Sequence, residues 1–214
     1  MASLNILLNG QKLTIDGITP EVTLAELVEA LTGEIKDSGA AIMEIVADET
    51  RLSVEQTDEL EAHKLVEYQK IDVLTATARD LLKMALEESG DVFEFIDDRA
   101  RDVAADLRLG KVKEAMENHL ETLDGLEWLS SVLKTLAVEF AAEMSETSIE
   151  SRRRQIFDHL ATQMAVLQKA HENNDWVGLA DVLEYELPEI TTQARILFKD
   201  LRELIPESDE SEAS

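Results

Sequence analysis

The spacing of apolar residues changes near residue 75. Before that point, short alternating runs, a turn signal and one capped helix predict a small unit of mixed strand and helix. Beyond it, about 130 residues carry apolar positions only at the spacings of three and four that are typical of amphipathic helices. The sequence therefore predicts an α+β fold, with an α+β domain at residues 1–75 followed by an all-α antiparallel helical bundle at residues 76–205.

A hairpin begins the first domain. Apolar residues alternate at positions 4, 6 and 8, and again at positions 13 and 15. Between these runs, Asn9-Gly10 supplies the positive φ angles of a tight hairpin turn. Two antiparallel strands are therefore predicted on either side of Asn9-Gly10.

A helix and two further strands complete the predicted domain. Thr23 and Glu26 have the spacing of a capping box, and the apolar stripe that follows places Gly33 as the residue that ends the helix. Residues 41–47 are predicted to form a mostly buried strand, and residues 65–74 a last strand. The polar segment 53–62 between them is predicted as a short helix or turn.

This order of elements resembles the β-grasp (ubiquitin-like) fold, and most of all the sulfur-carrier proteins of thiamine and molybdopterin synthesis. The resemblance rests on three stretches, namely Ile6-Leu7-Leu8-Asn9-Gly10-Gln11, the helix start at residues 22–27 and the closing Ile71-Asp72-Val73-Leu74. Sulfur carriers end in a free Gly-Gly, whereas here Leu74 continues into Thr75-Ala76-Thr77-Ala78. The resemblance therefore implies the fold and a docking or structural role, and not the carrier chemistry.

The remainder predicts three to five helices with short turns, which is typical of an antiparallel bundle. Gly90 marks either a kink or a break, Gly110 ends a segment, and one long helix is predicted from residue 112 to about residue 144. A helix from residue 149 to residue 170 and another from Trp176 follow, and Pro188 should kink the latter or begin a new helix. One closed bundle and two open helical hairpins fit this pattern equally. Residues 206–214 are predicted to be a disordered acidic tail.

Composition narrows the classes of function. The net charge of −26 disfavours binding to nucleic acid and to anionic membranes. The absence of cysteine excludes disulfides, thiolate catalysis and cysteine-ligated metals. The N-terminus lacks the pattern of a signal peptide, and no apolar run is long enough for a membrane span, so a cytoplasmic protein is expected.

No residue pattern indicates catalysis, a cofactor or a metal. The position three residues before each histidine is not acidic, so the Glu-x-x-His pairs of di-iron bundles are missing. Glu59 and His63 form an i, i+4 pair in a polar segment that is expected at the surface. His119 and His159 lie beside apolar stripes and are expected to be core-edge rings with hydrogen-bond partners. The cluster Arg152-Arg153-Arg154 is expected to be a solvated patch or a partner for nearby acids.

Aromatic residues on the later helices are the best candidates for partner contacts, since aromatics dominate interface energetics. Trp176, Leu179 and Tyr185 are these candidates, and Trp128 is expected to pack in the core. We therefore predict a non-enzymatic protein–protein interaction module that binds a protein partner or forms a homodimer, and that loses affinity on Trp176→Ala without losing its fold. The alternatives are a ligand-binding protein or enzyme with a carboxylate-lined pocket, and a structural subunit of a larger assembly.

Overall fold

A computed structural model describes residues 5–15, 18–54, 56–145 and 147–205 of the chain. The protein is α+β, with an N-terminal sheet followed by helices. It divides into two compact units, Met1–Leu81 and Leu82–Ser214, which we call the N-terminal unit and the helical unit. The acidic tail predicted at residues 206–214 lies outside the described residues. No helix in the described part of the chain is both long enough and apolar enough to cross a membrane.

In its described residues, the N-terminal unit holds a five-stranded mixed sheet, two helices and two 3₁₀ turns, apart from the first residues of a long helix that continues into the helical unit. The 3₁₀ turns are Lys36–Ser38 and Leu65–Glu67. The strands and helices are, in chain order, β1 (Asn5–Leu8), β2 (Gln11–Lys12), α1 (Leu24–Ile35), β3 (Ala40–Ala47), β4 (Thr50–Ser53), α2 (Thr57–Ala62) and β5 (Lys70–Thr77). The strand order across the sheet is β2-β1-β5-β3-β4, in which β1 and β5 run parallel and the other neighbouring pairs run antiparallel.

The predicted hairpin is confirmed. β1 and β2 pair antiparallel with Leu8 opposite Gln11. The two turn residues have φ angles of +50° at Asn9 and +77° at Gly10, as the Asn-Gly pair requires. The Asn9 side chain also accepts a hydrogen bond from the Thr75 backbone N–H at 2.8 Å, so the turn is held against β5.

Helix α1 packs on one face of the sheet. Its predicted capping box is confirmed, because Thr23 and Glu26 each accept a hydrogen bond from the other's backbone N–H. The predicted end at Gly33 was wrong. The helix runs to Ile35 and tightens into the turn Lys36–Ser38, and the left-handed residue is Gly39 at φ +70°. The leucines of α1 are buried against strand residues in one core, whose largest members are Leu24, Leu27, Leu31, Ile45, Leu60, Leu65 and Ile71.

Two strand boundaries differ from the sequence prediction. β4 was missed, because it is a short edge strand with one buried residue, Leu52, and shows no alternation. The last strand begins at Lys70 rather than residue 65, since Leu65–Glu67 forms a 3₁₀ turn in which Val66 is exposed. It also continues to Thr77, where small residues pair with the start of β3.

The helical unit holds four long helices, of which α3 begins in the last residues of the N-terminal unit. The helices are α3 (Ala78–Arg108), α4 (Val112–Glu139), α5 (Ala141–Ser145), α6 (Ile149–Glu172), α7 (Trp176–Asp181) and α8 (Leu187–Leu204). A π-helical turn, Val182–Glu186, joins α7 to α8, so that the chain stays helical from Trp176 to Leu204. Gly90 lies inside α3 without a break, whereas Gly110 ends that segment at φ +75°.

The four long helices form a closed antiparallel bundle. Helices α4 and α6 run in opposite directions, because Arg153 near the start of α6 donates to the Leu133 carbonyl near the end of α4 at 2.9 Å. Arg152 on α6 pairs with Asp200 on α8 at 2.6 Å. Helix α8 returns to α3 through Thr191, which donates to Asp97, and α3 meets α4 where Ile96 packs on Gly125. These contacts join each of the four helices to two neighbours, and they therefore exclude two open hairpins.

Candidate functional site

A groove runs along the outside of the bundle between α4 and α6. Its volume is about 700 Å³, and its walls are mostly apolar. The lining residues are His119, Leu123, Ser130 and Lys134 from α4, and Phe157, Ala161, Met164, Ala165, Leu167, Gln168, His171 and Glu172 from α6. The groove lies wholly within the helical unit.

Small side chains create this groove. On α6, Ala161 and Ala165 stand one turn apart and are exposed, and Ser130 faces them from α4. Larger residues at these positions would fill the space between the two helices. Phe157 and Met164 are instead only partly exposed and pack against the core, so they form part of the apolar wall.

Three rings stand together at one end of the groove, which we call the His119 end. His119 comes from the second turn of α4, and its ring stacks on His171 from the last turn of α6, with centroids 6.0 Å apart and planes at 22°. The His171 ring also makes a T-shaped contact with the ring of Trp176, the first residue of α7, with centroids 6.1 Å apart and planes at 82°.

His119 is the most unusual polar residue of the groove. It is only 2% exposed, and its Nδ1 has no hydrogen-bond partner. The expectation that this ring has a partner is therefore wrong for Nδ1. Burial, and secondarily the neighbouring His171, lower the pKa of His119 to about 4, so the ring is neutral at pH 7.

The opposite end of the groove carries a cation, and we call it the Lys134 end. The ammonium of Lys134 lies 5.6 Å from the centre of the Phe157 ring, within range of a cation–π contact. Lys134 is exposed and is the only cationic side chain among the described residues that line the groove.

The two remaining histidines, His63 and His159, each lie beside a carboxylate. His63 does not pair with Glu59, as the i, i+4 spacing suggested, because α2 ends before it; its Nδ1 lies 3.0 Å from Glu67. That hydrogen bond is the main cause that lowers the pKa of Glu67. His159 lies 3.7 Å from Glu186. Within the described residues, no group of three or more histidines and carboxylates could hold a metal ion.

The structure separates the three predicted partner contacts. Leu179 is fully buried in the bundle core and is thereby removed from the candidate surface. Tyr185 is 62% exposed on the outside of the π turn. Trp176 is half-buried against the core and reaches the groove only through His171. A Trp176→Ala substitution would therefore disturb packing as well as any contact. Trp128 is half-buried and packs against the core, edge-on to Phe93.

The arginine cluster is a set of partners for nearby acids and is not a free basic patch. Arg153 is 7% exposed and forms two hydrogen bonds to the Glu150 carboxylate. These bonds are the main cause that lowers the pKa of Glu150. Arg154 also contacts Glu150, at 3.2 Å.

Sequence reasoning missed the groove but could have noticed its α6 wall. Phe157, Ala161, Met164 and Gln168 follow one another at spacings of four, three and four, and Ala165 lies four residues after Ala161. They form a second stripe beside the core stripe of α6, and a helix with two adjacent apolar stripes has more apolar surface than one neighbour can cover.

A family model described as "Domain of unknown function (DUF8042)" matches residues 84–196, which is more than half of the chain. The chain belongs to this family. The matched stretch contains every residue that lines the groove. Comparisons with curated proteins and with solved structures found no match to the chain.

Proposed function

We propose that the chain is a non-enzymatic protein–protein interaction module whose helical unit binds an amphipathic, basic helix of a partner protein in the groove between α4 and α6. The observation that carries this proposal is the groove itself. It is apolar and open, and it lies along two long helices whose buried faces already pack in the bundle core. Apolar grooves between helices are a recurrent docking site for the apolar face of a partner helix.

The dimensions of the groove favour a helix. His119 and Lys134 are fifteen positions apart on α4, and Phe157 and Glu172 are fifteen positions apart on α6. At 1.5 Å per residue both spans are about 22 Å, the length of about four helical turns. An amphipathic helix of that length would cover the exposed apolar walls, including Ala161 and Ala165.

Charge favours a basic partner. The chain carries a net charge of −26. Exposed acids also lie beside the groove: Glu127 stands one turn from both Leu123 and Ser130 on α4, and Asp158 stands one turn before Ala161 on α6. Such a field steers cationic partners to the surface and repels nucleic acid and anionic membranes.

The lining of the groove supports binding rather than carboxylate chemistry. Among the described residues that line it, Glu172 is the single carboxylate. The carboxyl groups with clear pKa shifts in the described part of the chain, Glu67 and Glu150, lie elsewhere, and both have a lowered pKa. A general acid would instead need a raised value.

For the N-terminal unit we propose a β-grasp fold with a docking or structural role. The support is the strand order β2-β1-β5-β3-β4 with α1 packed on one face of the sheet. The strand that would end a sulfur carrier here continues through Thr77 into α3, so no free diglycine follows it.

The test blocks the groove without touching the core. Ala161→Trp would place an indole in the groove, whereas Thr162→Trp adds the same indole to the neighbouring exposed position. Tagged wild-type chain and both variants capture proteins from lysate of the source organism, and captured proteins are identified by mass spectrometry. Each captured protein is then purified and titrated by calorimetry against the wild-type chain and the two variants.

The expected result is a partner with a basic amphipathic helix that binds wild type and Thr162→Trp alike and loses at least tenfold in affinity for Ala161→Trp. Equal affinity for Ala161→Trp would refute the groove as the binding site. A wild-type chain that dimerises by light scattering, and becomes monomeric on Ala161→Trp, would show that a second copy occupies the groove. That outcome would overturn the proposal of a separate partner.

A further inference from the structure

The two ends of the groove differ in charge. The Lys134 end carries an exposed ammonium, whereas the His119 end carries the Glu172 carboxylate and two histidine rings. Because α4 and α6 are antiparallel, both helices contribute to each end. The groove therefore has two chemically different ends, unlike a uniformly apolar groove.

The unpartnered nitrogen of His119 is the first sign of a specific ligand at its end. A buried polar atom without a hydrogen bond costs stability, so native structures rarely keep one without a reason. In the tautomer that carries its hydrogen on Nε2, Nδ1 is a pure acceptor. The χ2 torsion of histidine is broad, so a modest rotation would turn Nδ1 toward a donor in the groove.

The surroundings of His119 favour a positively charged donor. Glu172 is the last residue of α6, where the helix dipole also favours cations. Gln168 donates to the Glu172 carboxylate at 2.9 Å and holds it at this end of the groove. The rings of His171 and Trp176 add aromatic surface, on which a cation or its methylene chain can pack.

We propose that the His119 end is a recognition pocket for a lysine or arginine of the partner helix, and that an acidic residue about four turns away on that helix pairs with Lys134. The donor binds His119 Nδ1 and the Glu172 carboxylate together. The direction in which the partner helix lies is thereby determined by the position of its charges. This inference rests on the proposed function and adds the chemistry and the orientation of the occupant.

The experiment uses three designed 18-residue helical peptides with the same leucine stripe, titrated by fluorescence anisotropy against the full chain. The first has lysine at one end and glutamate at the other, the second has glutamine at both ends, and the third has glutamate at both ends. We expect the lysine/glutamate peptide to bind about tenfold more tightly than the glutamine peptide, and the glutamate peptide to bind most weakly.

Variants locate the effect. Glu172→Gln changes an exposed side chain and should remove most of the tenfold preference while leaving the affinity of the glutamine peptide unchanged. His119→Phe should reduce the same preference. Glu117→Gln is the matched control. Glu117 is exposed on α4 and lies two residues before His119, a spacing that places it on the opposite side of the helix from the groove.

The outcomes separate this inference from the proposed function. If the lysine/glutamate and glutamine peptides bind equally, and both lose affinity for Ala161→Trp, the groove binds helices but the cation pocket is refuted. The pocket is refuted as well if Glu117→Gln weakens binding as much as Glu172→Gln, since the general field would then explain the preference. If none of the peptides binds the wild-type chain, the proposed function falls together with the inference.

Discussion

Acid should destabilise the helical unit through His119. The folded state holds the pKa of this ring at about 4, below the ordinary value of 6.5, because the charged form would be buried beside His171. As pH falls, the unfolded chain therefore takes up the proton first. The stability that the neutral, buried His119 ring contributes is fully present above about pH 6.5 and is lost progressively as pH falls toward 4.

The magnitude follows from the two pKa values. Proton linkage with values of about 4 and 6.5 gives a loss of about 2 kcal/mol in the free energy of unfolding between pH 7 and pH 5. Carboxylates also titrate in this range, so the His119 share must be isolated by a variant. The His119→Phe variant lacks this share. The difference in the free energy of unfolding between wild type and variant should therefore change by about 2 kcal/mol between pH 7 and pH 5.

Urea unfolding followed by tryptophan fluorescence measures this difference. Both tryptophans, Trp128 and Trp176, belong to the helical unit, so the signal reports the unit that contains His119. His63→Gln, in the N-terminal unit, is the control for the loss of a histidine elsewhere. If wild type and His119→Phe keep the same stability difference at pH 7 and pH 5, the ring is not buried and neutral as described.

Substitutions elsewhere test the packing and the caps. Gly125→Ala should lower the free energy of unfolding by about 1–3 kcal/mol, because a methyl there would lie 2.5 Å from the buried Ile96. Gly90→Ala, with no atom within 4 Å, should raise it by about 0.5–1 kcal/mol in the same urea titration; equal effects of the two would contradict the close approach of α3 and α4. Arg153→Met should cost about 1–3 kcal/mol, since its acceptors lose a buried donor, and an unchanged midpoint would show that these bonds contribute nothing. Thr23→Ala should cost about 1 kcal/mol, seen as faster amide exchange in the first turn of α1.

Features set by local chemistry could be predicted from the sequence. The Asn9-Gly10 turn, the Thr23–Glu26 capping box and the end of α3 at Gly110 each depend on residues within a few positions of one another. Their backbone geometry follows from side-chain size and hydrogen bonding alone. For the same reason, the helix that begins at Trp176, capped by Asp175, was placed correctly.

Features set by neighbours distant in sequence could not be predicted. β4 exists because β3 offers it a partner, and its own four residues carry no pattern. Gly33 resembled a helix end, but α1 continues past it because left-handed geometry is first needed at Gly39. Trp176 and Tyr185 both looked available for contacts, and only the packing of α7 on the bundle distinguishes them.

The groove belongs to this second group. It is the space left between two helices, and the stripe on α6 that the sequence shows is only one of its walls. The surroundings of His119 likewise include His171, which lies 52 positions later. A sequence shows which side chains exist, but the absence of a hydrogen-bond partner becomes visible only when the helices are assembled.

The two tryptophans give the protein a built-in optical reporter. Trp128 packs against the ring pair Phe93 and Phe198, with ring centres 6.0 and 6.3 Å away, so its emission follows the integrity of the core. Trp176 touches His171, whose ring lines the groove, so its emission follows events at the His119 end. With Trp128 replaced by phenylalanine, the remaining indole would register arrival of a ligand without a label, and screening for partners could proceed by intrinsic fluorescence alone.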